Sequence, residues 1–157
     1  WFHMGDVGQL DEDGYLYIMS RTDDVINVAG HRLSTGAIEE VVATHPDVAE
    51  CAVIGIKDAL KGQVPIGFLV LNAGATIGDD ELSAAVVQEV RNKIGPVAAF
   101  KAALVVSQLP KTRSGKILRG TMRRIADREA WAMPATIEDT SALDTIAGSL
   151  RGAGFDV

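Results

Sequence analysis

The sequence predicts an α+β fold, a small domain in which helices cover a sheet of about three main strands. Three observations carry that prediction. The runs 48–56, 64–71 and 102–106 are apolar and β-rich, and each is long enough to be a strand. Between and before them, Ile38, Val41 and Val42, and then Leu82, Ala85, Val86, Val90 and Ile94, recur at helical spacing. Glycine, proline and polar clusters separate these runs, and helices alternating with strands in this way form layers around one core.

Taken in order, residues 5–20 read as a hairpin. Asp11-Glu12-Asp13-Gly14 is its turn and Tyr15-Leu16-Tyr17-Ile18 its returning β-prone run. Two strands alone are marginal in water, so this ribbon is expected to pack on a body outside the chain. Arg21-Thr22-Asp23-Asp24 follows as a polar linker. Val25-Ile26-Asn27-Val28 is a short strand that turns through Ala29-Gly30 into His31-Arg32-Leu33. Ser34 is placed to cap a helix to about residue 44, ended by His45-Pro46. Lys57 to Gln63 is a polar loop between the two long strands. Asp79 or Asp80 is expected to cap the second helix, which Gly95-Pro96 stops. After the strand at 102–106 comes Leu109-Pro110-Lys111-Thr112-Arg113-Ser114-Gly115-Lys116, then a basic helix over 117–128. Residues 131–157 hold one more helical pattern near 141–150 and a loose, glycine-containing end.

Composition narrows the function classes. The chain has 157 residues, 47% hydrophobic and 23% charged, enough for a real core. Its net charge of −6 argues against a nucleic-acid or membrane-surface binder, so an anionic ligand must be held by a local cluster. A single cysteine, Cys51, permits no intrachain disulfide and points to a reducing compartment. No apolar run approaches the ~18 residues of a membrane span. Trp1-Phe2-His3-Met4 reads as the interior of a larger protein.

No His, Cys or carboxylate spacing marks a metal site, and no nucleophile or dinucleotide motif occurs. The residues suited to chemistry are Asp6 at a turn, Arg21, Arg32, Arg91 and Lys116, mostly beside glycines or strand ends. Arginine forks suit phosphates, and a carboxylate suits ribose hydroxyls. In the octet, Pro110 blocks regular pairing and Gly115 permits a bend just before Lys116, which suits a loop that delivers an ammonium to a partner.

Five motifs in order carry a resemblance: Met4-Gly5-Asp6, Asp13-Gly14-Tyr15, Ser20-Arg21-Thr22-Asp23-Asp24-Val25-Ile26, Gly30-His31-Arg32 and Pro110-Lys111-Thr112-Arg113-Ser114-Gly115-Lys116. Over about residues 1–126 the chain resembles the C-terminal quarter of the adenylate-forming acyl-CoA synthetases. Residues 24–33, the loop 57–63 and Ser107-Gln108-Leu109-Pro110 are similar to the short-chain branch. The nearest likeness is to propionyl-CoA synthetases, and Thr136-Ile137-Glu138-Asp139 extends it.

The resemblance implies a division into 1–22, a hairpin from the large N-terminal domain; 23–130, a small mobile C-terminal lid domain; and 131–157, a tail. It implies an acid–thiol ligase, a propionate–CoA ligase of the AMP-forming kind, using ATP and CoA. An acetate-specific enzyme or one loading a carrier protein is the near rival, and a non-enzymatic anion-binding module the distant one. Asp6 would hold the ribose hydroxyls, Arg21 the ribose and phosphate side, and Arg32 a phosphate. Ala29 and Gly30 would line the pantetheine tunnel by their backbone, Arg91 would meet the nucleotide end of CoA, and Asp23 would be the hinge. Lys116 would act in adenylation, and would be a target for a lysine acetyltransferase and deacetylase. Magnesium would sit at the loop of Ala43, His45 and Val48. The remaining partners would be a short-chain carboxylate and the large domain of the same chain, with no nucleic acid and no membrane. The place of action would be the cytoplasm, or the mitochondrial matrix in a eukaryote. Met4 stands where the family usually has Thr, and Ala29 where it often has Ser. The phosphate-cradling loop of that family is not among these residues, so an isolated chain is expected to be inactive.

Overall fold

Side-chain alternation in two long strands decides the layers. The computed structural model describes residues 5–157; residues 1–4, with the Met4 of the first motif and the expected interior start at Trp1, lie outside the described residues. Val48–Asp58 (β5) and Gly62–Leu71 (β6) pair antiparallel from Val48 opposite Leu71 to Asp58 opposite Gly62. Ala52, Ile54 and Ile56 of β5 join Val64, Ile66 and Phe68 of β6 in one core. Val53 and Leu69 belong to a second core on the opposite face. Burial on both faces is why these strands read as continuous apolar runs.

Among the described residues, four helices cover the two faces. Thr35–Val42 (α1) and Asp79–Lys93 (α2) bury Ile38 and Val42, and Leu82, Val86 and Val90, in the second core. Arg119–Ala126 (α3) and Ser141–Gly152 (α4) bury Met122 and Ile125, and Leu143, Ile146 and Leu150, in the first. Ala102–Val105 (β7) runs parallel to β6, Ile66 opposite Ala102 through Leu69 opposite Val105. Two glycines on the second face admit their neighbours. A Cβ at Gly67 would lie 2.8 Å from the Phe100 ring, and one at Gly55 would lie 2.9 Å from Ile26.

Among the described residues the sheet has five strands, the three main ones expected and the short pair that precedes them. Val25–Val28 (β3) and His31–Ser34 (β4) form an antiparallel pair, and β3 attaches to β6 with Val28 opposite Gly62. The order is β4-β3-β6-β5, with β7 also on β6. Such a long-range attachment leaves no local pattern to read. Asp6–Leu10 (β1) and Leu16–Arg21 (β2) form the separate hairpin, turned by Asp11, whose carboxylate accepts the Asp13 and Tyr15 amides. Leu10, Tyr15, Leu16, Tyr17 and Ile18 are exposed on it.

Local boundaries shift for physical reasons. Ser34 caps α1 by accepting the Ala37 amide at 3.4 Å, as the sequence predicts. The cap of α2 is Gly78, not Asp79 or Asp80. Those two lie with Glu81 inside the first turn, where negative charge meets the positive end of the helix dipole. The basic helix begins at Arg119, two residues later than expected, because Ile117 pairs with Lys111. The helical pattern expected near 141–150 is α4, which reaches the core, and Ile137 is also buried. Cys51 is half-buried, with its Sγ 3.6 Å from the Glu39 carbonyl. Burial, and then the Glu39 carboxylate, push its thiol up to about 11, so it stays protonated near neutral pH. Among the described residues no helix is long and apolar enough to cross a membrane.

The β3–β4 turn stores strain. Ala29 (φ 48) and Gly30 (φ 87) both have positive φ, as a two-residue hairpin turn of the primed type requires. For an alanine the left-handed region costs roughly 1–2 kcal/mol, whereas Asn tolerates it better. Ala29→Asn should therefore raise the stability of the 157-residue chain by about 0.5–1 kcal/mol. Urea unfolding measures this; an unchanged or lower midpoint would mean the turn relaxes away from that geometry in solution.

Candidate functional site

A cleft of about 780 Å³ opens beside β3 and β4, lined among others by Asp24, Asn27, Arg32, Glu39 and Arg119. Its floor comes from the strand pair, and one wall from α1 and the start of α3. Arg32 sits opposite Asn27 in the ladder, is exposed, and makes no hydrogen bond or ion pair among the described residues. Its guanidinium is thus available to an anion in the cleft. Arg119 is committed. Its Nε and Nη2 donate to Glu39 Oε1 at 3.0 and 2.9 Å, and Nη2 donates to Oε2 at 2.8 Å. Glu39 Oε1 also accepts the Val53 amide at 2.8 Å.

Asp6 and Arg21 face each other across the hairpin ladder, so the structure brings together the two residues expected at the ribose. Arg21 Nε donates to Asp23 Oδ1 at 3.0 Å, and this hydrogen bond, with the nearby negative charge, holds the guanidinium proton more tightly. Asp23 lies in a single 3₁₀ turn, Thr22–Asp24, between β2 and β3. Thr22 ties that turn back to the Gly5 carbonyl through its amide at 2.8 Å and its hydroxyl at 2.9 Å.

The Ala29–Gly30 turn is held at the far end of β5 and β6. The Ala29 amide donates to the Lys61 carbonyl at 2.8 Å, and the Asn27 amide to Gln63 Oε1 at 2.8 Å. The loop that carries Lys61 is shaped by Asp58, whose carboxylate takes the Lys61 and Leu60 amides and is held below the usual carboxylate range by those bonds. Arg91 stands exposed in the last turn of α2, beside a shallow hollow of about 90 Å³ with Val87, Gly95, Pro96, Ala99 and Phe100. That volume holds only about three waters at ~30 Å³ each, so a larger ligand there would lie on the surface.

Lys116 belongs to a tight hairpin. Lys111 pairs with Ile117, the Thr112 amide donates to the Lys116 carbonyl at 2.8 Å, and the Leu118 amide donates to the Pro110 carbonyl at 2.9 Å. Gly115 takes positive φ there (83°), and its amide closes on the Thr112 carbonyl at 2.8 Å. Lys116 is exposed, and its ammonium makes no hydrogen bond or ion pair among the described residues. Lys111 is fixed by both Glu50 oxygens, at 2.7 and 2.6 Å.

At the loop of Ala43, His45 and Val48, the oxygens expected to face magnesium are the backbone carbonyls of Ala43 and Val48, whereas the ring and carbonyl of His45 are engaged within the loop. His45 Nδ1 accepts the Asp47 amide at 3.3 Å, and the His45 carbonyl accepts the Val48 amide at 3.1 Å. Magnesium requires several free, hard oxygens in near-octahedral array. Among the described residues no group of three His, Cys, Asp or Glu side chains could hold a metal. No step below is assigned to one.

Two contributors are absent from the sequence-based set. Neither Glu39 in the first helix nor Arg119 in the basic helix is singled out by its sequence pattern. Only the acid–base complementarity of the two segments hinted at their pairing. Both side chains are mostly covered, 17% and 21% exposed. Removing one partner strands the other, so Arg119→Ala should cost about 1.5–3 kcal/mol. Glu39→Ala should cost more, because it also orphans the Val53 amide. A double-mutant cycle in urea should show a coupling of at least ~1 kcal/mol, and additivity would mean that solvent screens the pair.

Comparisons place this geometry among known proteins. The profile of the AMP-binding enzyme C-terminal domain matches residues 37–116. An uncharacterized protein of Pseudomonas aeruginosa is 57% identical over 151 residues, covering 96% of this chain and 24% of its own length. The mouse mitochondrial acyl-CoA synthetase short-chain family member 3 is 51% identical over 148 residues, 94% of this chain and 22% of its own. The crystal structure of ATP-bound MatB from Rhodopseudomonas palustris aligns with a TM-score of 0.63 and 29% identity, over 78% of this chain and 24% of that one. The chain thus spans about a quarter of the length of these relatives.

Proposed function

Since the chain belongs to the AMP-binding enzyme C-terminal domain family, we propose that it is the moving part of a short-chain acyl-CoA synthetase, acting on propionate. The carboxylate oxygen attacks the α-phosphorus of ATP, forming the acyl–phosphate bond of acyl-AMP and expelling pyrophosphate. The CoA thiol then attacks the acyl carbon and expels AMP. This chain's residues bind and orient. Lys116 brings an ammonium to the charge that grows on the α-phosphate and carboxylate, where a fixed donor acts most strongly. Asp6 and Arg21 hold the ribose side, and Arg32 holds a phosphate from the cleft. The Ala29–Gly30 backbone flanks the pantetheine arm, and Arg91 takes the nucleotide end of CoA.

The observation that supports this reading is a separation. The Lys116 hairpin is rooted through Lys111 at Glu50, whereas the Ala29–Gly30 turn is fastened to Lys61, one residue before the Gly62 that faces Asp58. The eight steps from Glu50 to Asp58 along β5 span roughly 26 Å at ~3.3 Å per residue. One reacting centre cannot meet both ends at once, so the domain presents first one and then the other, with Asp23 as the pivot. Releasing Arg21 from Asp23 would free its fork for the nucleotide as the pivot turns.

Propionate as substrate rests on the likeness of residues 24–33 and 57–63 to that branch. Against a polyanion-binding module, Lys57, Lys111 and Arg119 are already spent in ion pairs, and the net charge is −6. In this reading the enzyme works in the cytoplasm, or in the mitochondrial matrix of a eukaryote. The exposed Lys116 would be the residue silenced by acetylation, which removes its charge.

Lys116→Ala, made in the polypeptide joined to its large domain, should slow acyl-adenylate formation about 10²–10³-fold. Conversion of supplied propionyl-adenylate and CoA should stay near wild type. Following both half-reactions on one preparation decides the matter, and equal losses would reduce Lys116 to a structural residue. Arg91→Ala should weaken CoA by about 1.5–3 kcal/mol, with a smaller loss for dephospho-CoA if the partner is the 3′-phosphate. A loss that is the same for both ligands would point to helix packing instead.

A further inference from the structure

We propose that residues 134–139 form a strap that positions the Lys116 hairpin, with α4 as its anchor, so that the tail is a working part of the adenylation site. This rests on the role given to Lys116 above. The strap lies beyond residues 37–116, the region that matches the family profile.

The contact is a strand pairing. Thr112 lies opposite Ile137 in an antiparallel bridge; the Arg113 amide donates to the Thr136 carbonyl at 3.0 Å, and the Glu138 amide donates to the Lys111 carbonyl at 2.9 Å. With 116–118 on its other side, the segment 110–113 becomes the middle of a three-stranded ribbon whose outer strand is the tail. Among the described residues, the strap is the only element outside the hairpin that hydrogen-bonds to residues 112–116. Whatever moves the strap therefore moves the backbone that carries Lys116.

The strap is itself fixed at three points. Ile137, 7% exposed, is buried in the core that holds Ile125, Leu143 and Leu150. Gln108, at the root of the hairpin, donates through Nε2 to Asp139 Oδ2 and lies within hydrogen-bond distance of Ser141 Oγ, both at 3.0 Å. Asp139 Oδ1 accepts the Ser141 amide at 2.9 Å and its hydroxyl at 2.8 Å, fastening the strap to the start of α4. The bond from Gln108, and then those from Ser141, hold the Asp139 carboxyl below the usual carboxylate range, keeping this clamp ionised near neutral pH. A local hairpin of five residues has little stiffness of its own; paired to a strand tied into the core, it gains a fixed aim.

Glu138→Pro removes the donor to the Lys111 carbonyl, and Glu138→Ala keeps it. Hydrogen exchange on the 157-residue chain should show the Arg113, Gly115 and Lys116 amides exchanging at least ~10-fold faster in the proline variant, with β5 and β6 unchanged and the alanine variant like wild type. In the polypeptide joined to its large domain, the proline variant should slow acyl-adenylate formation about 10-fold and leave thioester formation from supplied adenylate within about 2-fold. Unchanged exchange in the hairpin overturns the proposal. So does equal loss of protection in β5 and β6, or equal slowing of both half-reactions. If the proline variant does not fold, Gln108→Ala decides by the same readouts, with about 3-fold effects. Should Lys116→Ala slow neither half-reaction, the reading of Lys116 fails, while the exchange result still judges the strap as a mechanical support.

Discussion

The Glu39 carboxylate is the constraint on which the site depends. β5 is an edge strand, and an edge strand carries amide groups with no strand to receive them. Glu39 takes both the Val53 amide and the fork of Arg119. One side chain of α1 thereby covers the edge of the sheet and fixes the first residue of α3. Asp127, at the end of α3, accepts the Lys57 amide at 2.8 Å, so the helix is pinned to β5 at both ends. A carboxylate with this many donors regains in charge-assisted bonds what it loses in hydration, which is why it is tolerated where it is mostly covered. Glu39 and Asp127 thus occupy two β5 amides that another strand could otherwise pair with.

Much of the fold was legible because it rests on local periodicity. The two long strands, the apolar stripes of α1 and α2, and the breakers at His45-Pro46 and Gly95-Pro96 announce themselves in the residues. Boundaries failed where a longer-range pairing intervened, as at Ile117, which joins Lys111 instead of a helix. Attachment of β3 to β6 was invisible, since a four-residue strand carries no mark of its neighbour. The α2 cap was misplaced because Asp is favoured both as a cap and inside the first turn, and composition alone does not separate the two.

The site was legible in its motifs more than in its geometry. Arg32, Lys116 and the Ala29-Gly30 turn are flagged by glycines and isolated charge, and all three lie exposed. The residues that set their positions were not legible, because each acts through a partner far along the chain: Glu39 with Arg119, Glu50 with Lys111, Ile137 with Thr112. Charged side chains abound on any surface, and nothing local tells a paired acid from a solvated one. The tail was undervalued for the same reason.

The mount of the β3–β4 pair has a mechanical consequence. β3 joins the sheet through one residue pair, Val28 with Gly62, supplemented by the Asn27 bond to the Gln63 side chain of β6 and the Ala29 bond to Lys61 in the β5–β6 loop. Ile26 seats in the notch left by Gly55, so the pair also has a knob in a socket. β3 is also the segment that leaves the 3₁₀ turn at Asp23, so that turn is tied to the two cores through this pair and the Ile26 contact. With Asp23 as the proposed pivot, a rotation at that turn would carry both cores as a unit and would change what the Lys116 hairpin and the Ala29 turn face without changing their relation to each other.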